Sequence, residues 1–504
     1  MMIDMLAHWQ PARGRLVEVS ATATSVTAAA SAPAHPTPAS FLQENHLRGS
    51  SATASRGDAH KAYLAATTEV EGAFDGDALA RAFRRFLARH DGLRSWFDVT
   101  DGAVTRHMVA LSDIAFEATA VGSVDDYGYL SADDGAAPLP RRFSEHVEQQ
   151  FSRNANALSW PGFVAGAVVR ADGFTLYYGC DHALSDGISQ ALVLAEVADL
   201  YLSERDGTDV GPFTSAPAGS QLDYVVAERA RAQTLTDTSP EVRGWVDIVA
   251  RHGNRMPQFP LDLGLAPGET APVAPIKFDV LDAAGAEAFE RICREHGARM
   301  IGGIIAALAI VDHEMAGADS YFGITALSDR ALAGSELSQG WFCRFAPVSF
   351  PITPARTFTE LVSAAQAGCE VGKSLSDVPV HTVLGALLAG GAQSGDVLLT
   401  PQLLSYIDFR RFPMAGTGVY DRGMQTTGEG RTANASMWVN RDDSGVYVGT
   451  QTPDTPTAQR RLAPYHRRLR EVFAAVAADG DHVIAAAAAA AAGEREPSLA
   501  RHHD

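Results

Sequence analysis

The sequence predicts a mixed α/β protein whose two halves share a strand–helix–strand plan. Residues 174–202 alternate in period two, break in a short loop and continue as an apolar run, which is typical of a strand followed by a buried helix. The second half opens in a similar way, with a predicted strand at 276–281 and helices at 283–295 and 300–315. The length of 504 residues is enough for two or three domains.

The composition is that of an ordinary globular chain, with 46% hydrophobic and 20% charged residues. The net charge of −19 argues against broad nucleic-acid binding, which needs a basic surface. No apolar run approaches the length of a membrane span, and the N-terminus has no signal-peptide pattern, so we expect a cytoplasmic protein. Its isolated cysteines are predicted to be reduced thiols: Cys180, Cys293, Cys343 and Cys369.

The first half is predicted to lead up to the strand of 174–202. Residues 1–40 are rich in Ala, Ser, Thr and Pro, a composition typical of a disordered leader. A strand follows at 62–72, and an amphipathic helix at 77–90. A turn and a strand at 159–170 then form a hairpin with the strand that begins at Phe174.

Four arginines share the polar face of the 77–90 helix: Arg81, Arg84, Arg85 and Arg89. One interpretation is a solvated face. The other is a docking surface for an acidic carrier protein or for the phosphates of coenzyme A, because guanidinium groups bind carboxylate and phosphate oxygens.

The loop inside 174–202 carries the residues that are best placed for chemistry. His182 follows the strand, and neutral imidazole titrates near the working pH, so His182 is a candidate general base. Asp186 can hold the loop through an ion pair, and Gly187 permits a close backbone approach. The alternative is a histidine packed under a structural Asp–Gly turn. The sequence has no Walker loop, GxGxxG, HExxH or GxSxG motif.

Strands and helices continue to alternate in the second half. The further predicted strands lie at 320–325, 341–352, 432–440 and 445–451, with a strand and loop at 403–412, and the further helices lie at 357–373 and 457–478. The glycine-rich residues 414–431 are predicted to form a long loop. The alanine-rich tail is predicted to be frayed, and its His502 and His503 are interpreted as an inert chain end.

Several segments together resemble one enzyme superfamily. DHALSDG, at 181–187, resembles the HHxxxDG motif of condensation domains and related acyltransferases. ARHDGLRSWF resembles the RHxxLRxxF segment of condensation domains, and the SDR loop with the WFCRFAPV strand is similar to a strand pair of the same enzymes. QENHLRG and SYIDFRRFP are similar to segments of the larger polyketide-associated (Pap) acyltransferases of actinobacteria. The matches lie in family order along the chain.

The resemblance implies two chloramphenicol-acetyltransferase-like α/β lobes set in a V, with an active-site channel between them. We expect a leader at 1–40 that packs on the body, an N-terminal lobe at 41–220 and a connection at 221–274. A C-terminal lobe at 275–482 and a low-complexity tail at 483–504 complete this expectation.

The resemblance also implies an acyltransferase that forms an ester from an acyl thioester and a small-molecule alcohol. His182 would take the proton of the acceptor, and Asp186 would hold the loop by pairing with Arg330 or, alternatively, with Arg410. Backbone N–H groups around Gly187 are candidate donors to the oxyanion. The donor would be acyl-CoA or an acyl or peptidyl carrier protein. We expect a monomer without a metal or a tightly bound cofactor.

One position departs from the motif, because Asp181 stands where the family has its first histidine. By strand alternation Asp181 points away from His182, so it is predicted to support the loop and not to act as the base. The departure leaves open a non-catalytic relative that serves as a recruitment module. A free-standing condensation enzyme that forms an amide is the other alternative.

Overall fold

The computed structural model describes residues 2, 3, 5–127, 142–209, 211–332, 334–420, 422–428 and 430–487. They form two seven-stranded sheets, a separate two-stranded hairpin and the helices packed on them. The strands are β1 (Met2–Ile3), β2 (Arg15–Ala21), β3 (Tyr63–Glu71), β4 (Ser95–Thr100), β5 (Ala103–Met108), β6 (Phe116–Ser123), β7 (Phe163–Val169), β8 (Gly173–Asp181), β9 (Ala271–Asp282), β10 (Ser320–Ser328), β11 (Cys343–Pro351), β12 (Leu403–Asp408), β13 (Met424–Thr427), β14 (Arg431–Thr432), β15 (Ser436–Asp442) and β16 (Gly445–Pro453). The helices are α1 (Ala23–Ala30), α2 (Phe41–Ser55), α3 (Gly76–Arg89), α4 (Phe143–Asn154), α5 (Gly187–Asp206), α6 (Pro212–Ser215), α7 (Gln221–Gln233), α8 (Pro240–Arg251), α9 (Ala283–Glu295), α10 (Met300–Ala316), α11 (Phe358–Leu375), α12 (Val380–Ala389), α13 (Ser394–Val397) and α14 (Pro456–Asp479).

The first sheet has the strand order β1-β13-β3-β8-β7-β2-β6 and forms the first lobe with α2 to α5. Strand β8 lies at its centre, antiparallel to β3 and β7, and every residue of β8 is buried. Helices α3 and α5 pack on each other, and the Phe83 ring of α3 stacks on Phe163 and Tyr178 of the sheet. The strand that precedes His182 is therefore held rigidly in the middle of the lobe.

The first 40 residues contribute an inner strand of this sheet. Strand β2 pairs antiparallel with both β6 and β7. Its side chains Leu16, Val17 and Val19 are buried. The Ala-, Ser- and Pro-rich composition around β2 conceals this strand, because a seven-residue apolar pattern is diluted over forty residues.

The second sheet has the strand order β11-β10-β12-β15-β16-β9-β14 and forms the second lobe. Strands β10 and β11 form an antiparallel pair, and β12 runs parallel to β10 and β15. Helix α10 contacts α9, α11 and α14, and most of its side chains are buried. Of the helices that the structure describes, none has the length and apolar character that crossing a bilayer requires.

The prediction of one unbroken loop over 414–431 is wrong at Met424–Thr427. These residues form β13, which pairs antiparallel with β3 in the sheet of the first lobe. The side-chain amide of Gln190 donates hydrogen bonds to the carbonyl oxygens of Ala65 and Thr426, at 2.6 and 2.8 Å. A four-residue strand between glycine-rich segments is too short to give a readable period-two pattern. The crossover ties the second half of the chain to the first lobe.

Candidate active site

His182 lies where the central strand of the first lobe ends. It opens the helical turn His182–Leu184 that leads into α5, and its backbone N–H donates to the carbonyl of Ala62 at 3.0 Å. Its Nδ1 is buried and meets no hydrogen-bond partner within the described ranges of the chain. Burial, followed by the charge of His46, lowers the pKa of His182. The imidazole is therefore held in the neutral form that a general base requires.

Two aromatic side chains surround the imidazole of His182. The Trp341 ring, from the second lobe, lies against it with the centroids 4.2 Å apart. The His46 ring of α2 is 6.2 Å from that of His182 and 5.8 Å from that of Trp341. The candidate base thus sits at the junction of the two lobes, between groups from three distant parts of the chain.

Asp181, which stands where the family motif has its first histidine, is fully buried, and hydrogen-bond donors contact both of its carboxylate oxygens. Oδ1 lies 2.7 Å from His46 Nε2 and 2.7 Å from the N–H of Ala183, and Oδ2 accepts from the N–H of Ala157 at 2.9 Å. His60 Nε2 lies 3.2 Å from Oδ2. Burial alone would raise the pKa of Asp181, but His46 and His60 together hold it well below its usual range. Asp181 therefore braces the loop as a carboxylate.

Sequence reasoning missed His46 and His60 as members of the site. His46 lies inside the QENHLRG segment, so a signal for it was present in the resemblance. His60 lies in a polar connection between α2 and β3 with no motif around it. Its proximity to Asp181 follows only from the packing of α2 and β3 beside β8.

Asp186 is the N-cap of α5 and links the two lobes. Its Oδ1 accepts from the N–H of Ser189 at 2.7 Å and from Arg330 Nη2 at 2.8 Å, and its Oδ2 accepts from the N–H of Phe342 at 3.0 Å. The side chains of Arg330 and Asp186 are only 6% and 9% exposed. Each described bond orients the loop or joins it to the second lobe, so Asp186 has the geometry of a brace.

Of the other two predicted motif positions, Arg410 lies apart from that pair, whereas Gly187 directly follows Asp186 at the start of α5. Arg410 binds Asp408 and Glu287 of its own lobe, at 2.9 Å each, and does not approach Asp186. A Cβ on Gly187 would lie 3.3 Å from Ile407 Cδ1 of β12. A side chain at Gly187 would therefore require the Ile407 side chain of the second lobe to move by a few tenths of an ångström.

The four arginines of α3 are engaged within the first lobe. Their partners are Glu204 for Arg81 and Arg85, Asp209 also for Arg85, Glu196 for Arg89 and the carbonyl of Ile114 for Arg84. Because carboxylates of the same lobe compensate most of this charge, the geometry favours a structural face over a docking surface.

The structure also bears on metal binding. Within the described ranges, no group of three or more His, Cys, Asp and Glu side chains is arranged to hold a metal ion. His502 and His503 lie outside the described residues.

Comparison with known proteins gives consistent matches over most of the chain. Residues 45–405 match the family model of the condensation domain. The 2'-acyl-2-O-sulfo-trehalose (hydroxy)phthioceranyltransferase PapA1 of Mycobacterium tuberculosis is 32% identical over 487 residues, covering 95% of this chain and 89% of PapA1. Acyltransferase PapA3 of the same organism is 28% identical over 494 residues, covering 95% and 97%.

Two solved structures are similar in fold. The structure of the PapA2 acyl transferase superposes with a TM-score of 0.82 at 25% identity, covering 95% of this chain and 100% of that one. The first condensation domain of the CDA synthetase gives a TM-score of 0.64 at 18% identity, covering 90% and 98%. The latter likeness concerns the fold alone.

Proposed function

The chain belongs to the condensation-domain family, and from this premise we propose that it forms an ester by moving an acyl group from a thioester to a hydroxyl of a carbohydrate, with His182 as general base. The predicted fold of two lobes and the prediction of an acyltransferase are confirmed by the family match and the Pap relatives. PapA1 is named for a sulfated trehalose, and this name supports a carbohydrate acceptor for the present chain.

The observation that carries the proposal is the position of His182 at the lobe junction, where its ring lies against Trp341 and burial lowers the pKa of its imidazole. His182 takes the proton of the acceptor hydroxyl while that oxygen attacks the thioester carbonyl carbon. The tetrahedral intermediate then collapses, the carbon–sulfur bond breaks, and the imidazolium returns its proton to the departing thiolate. General-base catalysis of this kind contributes about 10²–10⁴-fold to the rate.

The start of α5 is the candidate site for the oxyanion, because a helix N-terminus favours negative charge. The N–H of Ser189 is already bonded to Asp186, so the preceding N–H groups of Gly187 and Ile188 are the candidates. In this scheme Asp186 serves the reaction by fixing the helix start.

The experiment is an acyl-transfer assay with palmitoyl-CoA as the donor and a panel of alcohols and amines that includes trehalose. We expect esters from wild type and a loss of about 10²–10⁴-fold in kcat for His182→Ala. The exposed His296→Ala is the matched control and should retain wild-type activity. Equal product from His182→Ala would refute the base.

The same panel separates the alternatives. Products with amines alone would favour an amide-forming condensation enzyme, and no product with any acceptor would favour a recruitment module. Palmitoyl-CoA tested beside a palmitoylated carrier protein would identify the donor class. The cytoplasmic location and the monomeric state stay predictions.

A further inference from the structure

The indole N–H of Trp341 is a hydrogen-bond donor that lies at the lobe junction. Its Nε1 has no hydrogen-bond partner among the described residues, and it is not one of the buried atoms that lack a partner. Trp341 is half-buried, and its N–H is therefore open to a molecule that enters between the lobes.

Other tryptophans of the chain use the same group to hold segments together. Nε1 of Trp96 donates to the carbonyl oxygen of Ala29 at 3.0 Å. Nε1 of Trp245 donates to the carbonyl oxygen of Leu375 at 2.8 Å. Such bonds account for an indole N–H as part of the fold. Trp341 makes no bond of this kind to the described residues, so its N–H is left to meet a substrate.

The indole of Trp341 stands directly beside the proposed base. Its ring lies against the imidazole of His182 with the centroids 4.2 Å apart. The Nδ1 of His182 is buried, whereas its Nε2 has no partner within the described ranges and is not enclosed. An accessible base nitrogen and an accessible donor thus belong to two rings in contact.

The backbone on both sides of Trp341 is bonded to the first lobe. The N–H of Gly340 donates to Ser189 Oγ at 3.1 Å, and the same hydroxyl donates to the carbonyl of Gly340 at 2.9 Å. The N–H of Phe342 donates to Asp186 Oδ2 at 3.0 Å. These bonds fix the indole relative to the loop of the base. A donor that is held in place before the reaction needs little reorganisation when charge develops beside it.

The chemistry of an indole N–H narrows the substrate group that it can serve. The group donates a hydrogen bond and does not accept one, so it cannot take the proton of the acceptor. Two substrate oxygens meet in the reaction. The acceptor oxygen needs its lone pair for the attack, whereas the thioester carbonyl oxygen gains negative charge as the tetrahedral intermediate forms. A fixed donor is most effective at the oxygen on which the charge develops.

We propose that the indole N–H of Trp341 donates a hydrogen bond to the carbonyl oxygen of the acyl thioester and stabilises its negative charge in the tetrahedral intermediate. The inference rests on the proposed acyl transfer and adds to it a second catalytic residue, which the second lobe supplies. The N–H groups of Gly187 and Ile188 serve the same oxygen from the first lobe, so the oxyanion site is complete only where the lobes meet. The indole keeps its proton throughout, and the proton still passes from the acceptor hydroxyl through His182 to the thiolate.

Trp341→Phe isolates the donor, because phenylalanine keeps an aromatic ring against His182 but has no N–H. In the transfer assay with palmitoyl-CoA, we expect kcat and kcat/KM to fall together by about 10²–10³-fold, the usual loss when one oxyanion donor is removed. The KM for palmitoyl-CoA should stay near the wild-type value, since the bond strengthens in the transition state. Trp96→Phe removes an indole N–H that is bonded to Ala29, so it is the matched control and should keep the wild-type kcat. A wild-type kcat in Trp341→Phe would overturn the proposal.

The pH profile separates a hydrogen-bond donor from a residue that only positions the base. The acid limb of the kcat profile reports the protonation of the base in the enzyme–substrate complex. Loss of the donor in Trp341→Phe should therefore lower the plateau of the profile and leave the acid limb in place. A displaced acid limb with an unchanged plateau would assign Trp341 to the orientation of His182 and overturn the donor role.

A binding measurement tests the same hydrogen bond without turnover. The chain has six tryptophans, and Trp341→Phe identifies the indole N–H signal of Trp341 in a ¹⁵N–¹H correlation spectrum. A ketone analogue of palmitoyl-CoA, with a methylene in place of the thioester sulfur, should move this signal downfield, whereas the hexadecyl thioether of CoA has no carbonyl and should not. A ketone that moved the signal no further than the thioether would refute the inference. A carbonyl-specific shift in a protein that transferred no acyl group to any acceptor would refute the proposed reaction alone.

Discussion

Asp186→Ala is the substitution that most directly tests how the two lobes are joined. It removes a carboxylate that accepts from Arg330 and from the N–H groups of Ser189 and Phe342, all within 3.0 Å. Breaking a buried ion pair by removing one partner costs about 3–5 kcal/mol, because the other charge stays buried. For a cooperative unit the size of one lobe, this corresponds to a fall of about 6–20 °C in the melting temperature. Turnover should fall with it, because Asp186 fixes the loop that carries His182.

Calorimetry of single and double variants measures this effect. Arg330→Ala should destabilise less than Asp186→Ala, since it leaves the two backbone bonds of Asp186 in place. The double variant should lose less than the sum of the singles, with a coupling of about 0.5–3 kcal/mol. Arg410→Ala is the control: its ion pairs are more exposed and lie within the second lobe, so it should not couple to Asp186. If Asp186→Ala kept wild-type stability but lost turnover, a direct role in the chemistry would replace the brace.

Three further predictions concern the pH dependence of stability, Asp181 and the N-terminal strand β2. Burial raises the pKa of Asp312 to about 7, so the stability contributed by its neutral form is fully present below the unfolded pKa near 3.8 and is lost as pH rises through 7. The melting temperature of wild type should therefore fall from pH 5 to pH 7.5, and that of Asp312→Asn should fall less steeply. Asp181→His should lower stability and kcat, since a neutral imidazole accepts one hydrogen bond and cannot replace a carboxylate that is bonded by His46, Ala157 and Ala183; a kcat above wild type would contradict this. Deleting residues 1–40 removes β2 from between β6 and β7, so proteolysis that excised this segment without lowering the melting temperature would contradict its role in the sheet.

The parts of the structure that follow from local pattern could be predicted from sequence. The strand, turn and helix around His182 are contiguous, and their periodicity and capping residue Asp186 stand within one short stretch. The pairing of Arg330 with Asp186 was predicted from the resemblance to the family, in which the loop of Arg330 is a candidate partner of the motif aspartate. These features need no knowledge of how distant segments meet.

The parts that depend on distant segments could not be predicted in the same way. The contact between His46 and Asp181 spans 135 residues, and the bond from Gln190 to Thr426 spans 236. Neither contact has a local sequence signature, because the sequence pattern around a polar residue is the same whether its side chain is solvated or bonded to a buried partner. Strand β13 was missed for the same reason, since its pairing with β3 is set by the crossover between lobes.

The aspartate at position 181, where the family motif has histidine, could be interpreted only together with the residues that surround it in the fold. A carboxylate in place of histidine suggested an inactive relative as one alternative. The fold supplies Asp181 with two backbone N–H groups and two histidines, so the position still fixes the loop although its chemistry is inverted from donor to acceptor. Since His182, the group proposed to meet substrate, is unchanged and its pKa is lowered, the departure by itself is no argument against catalysis. His46 and His60 contact Asp181 and in this way support the loop. Substitution of either histidine should therefore weaken the hold on the loop.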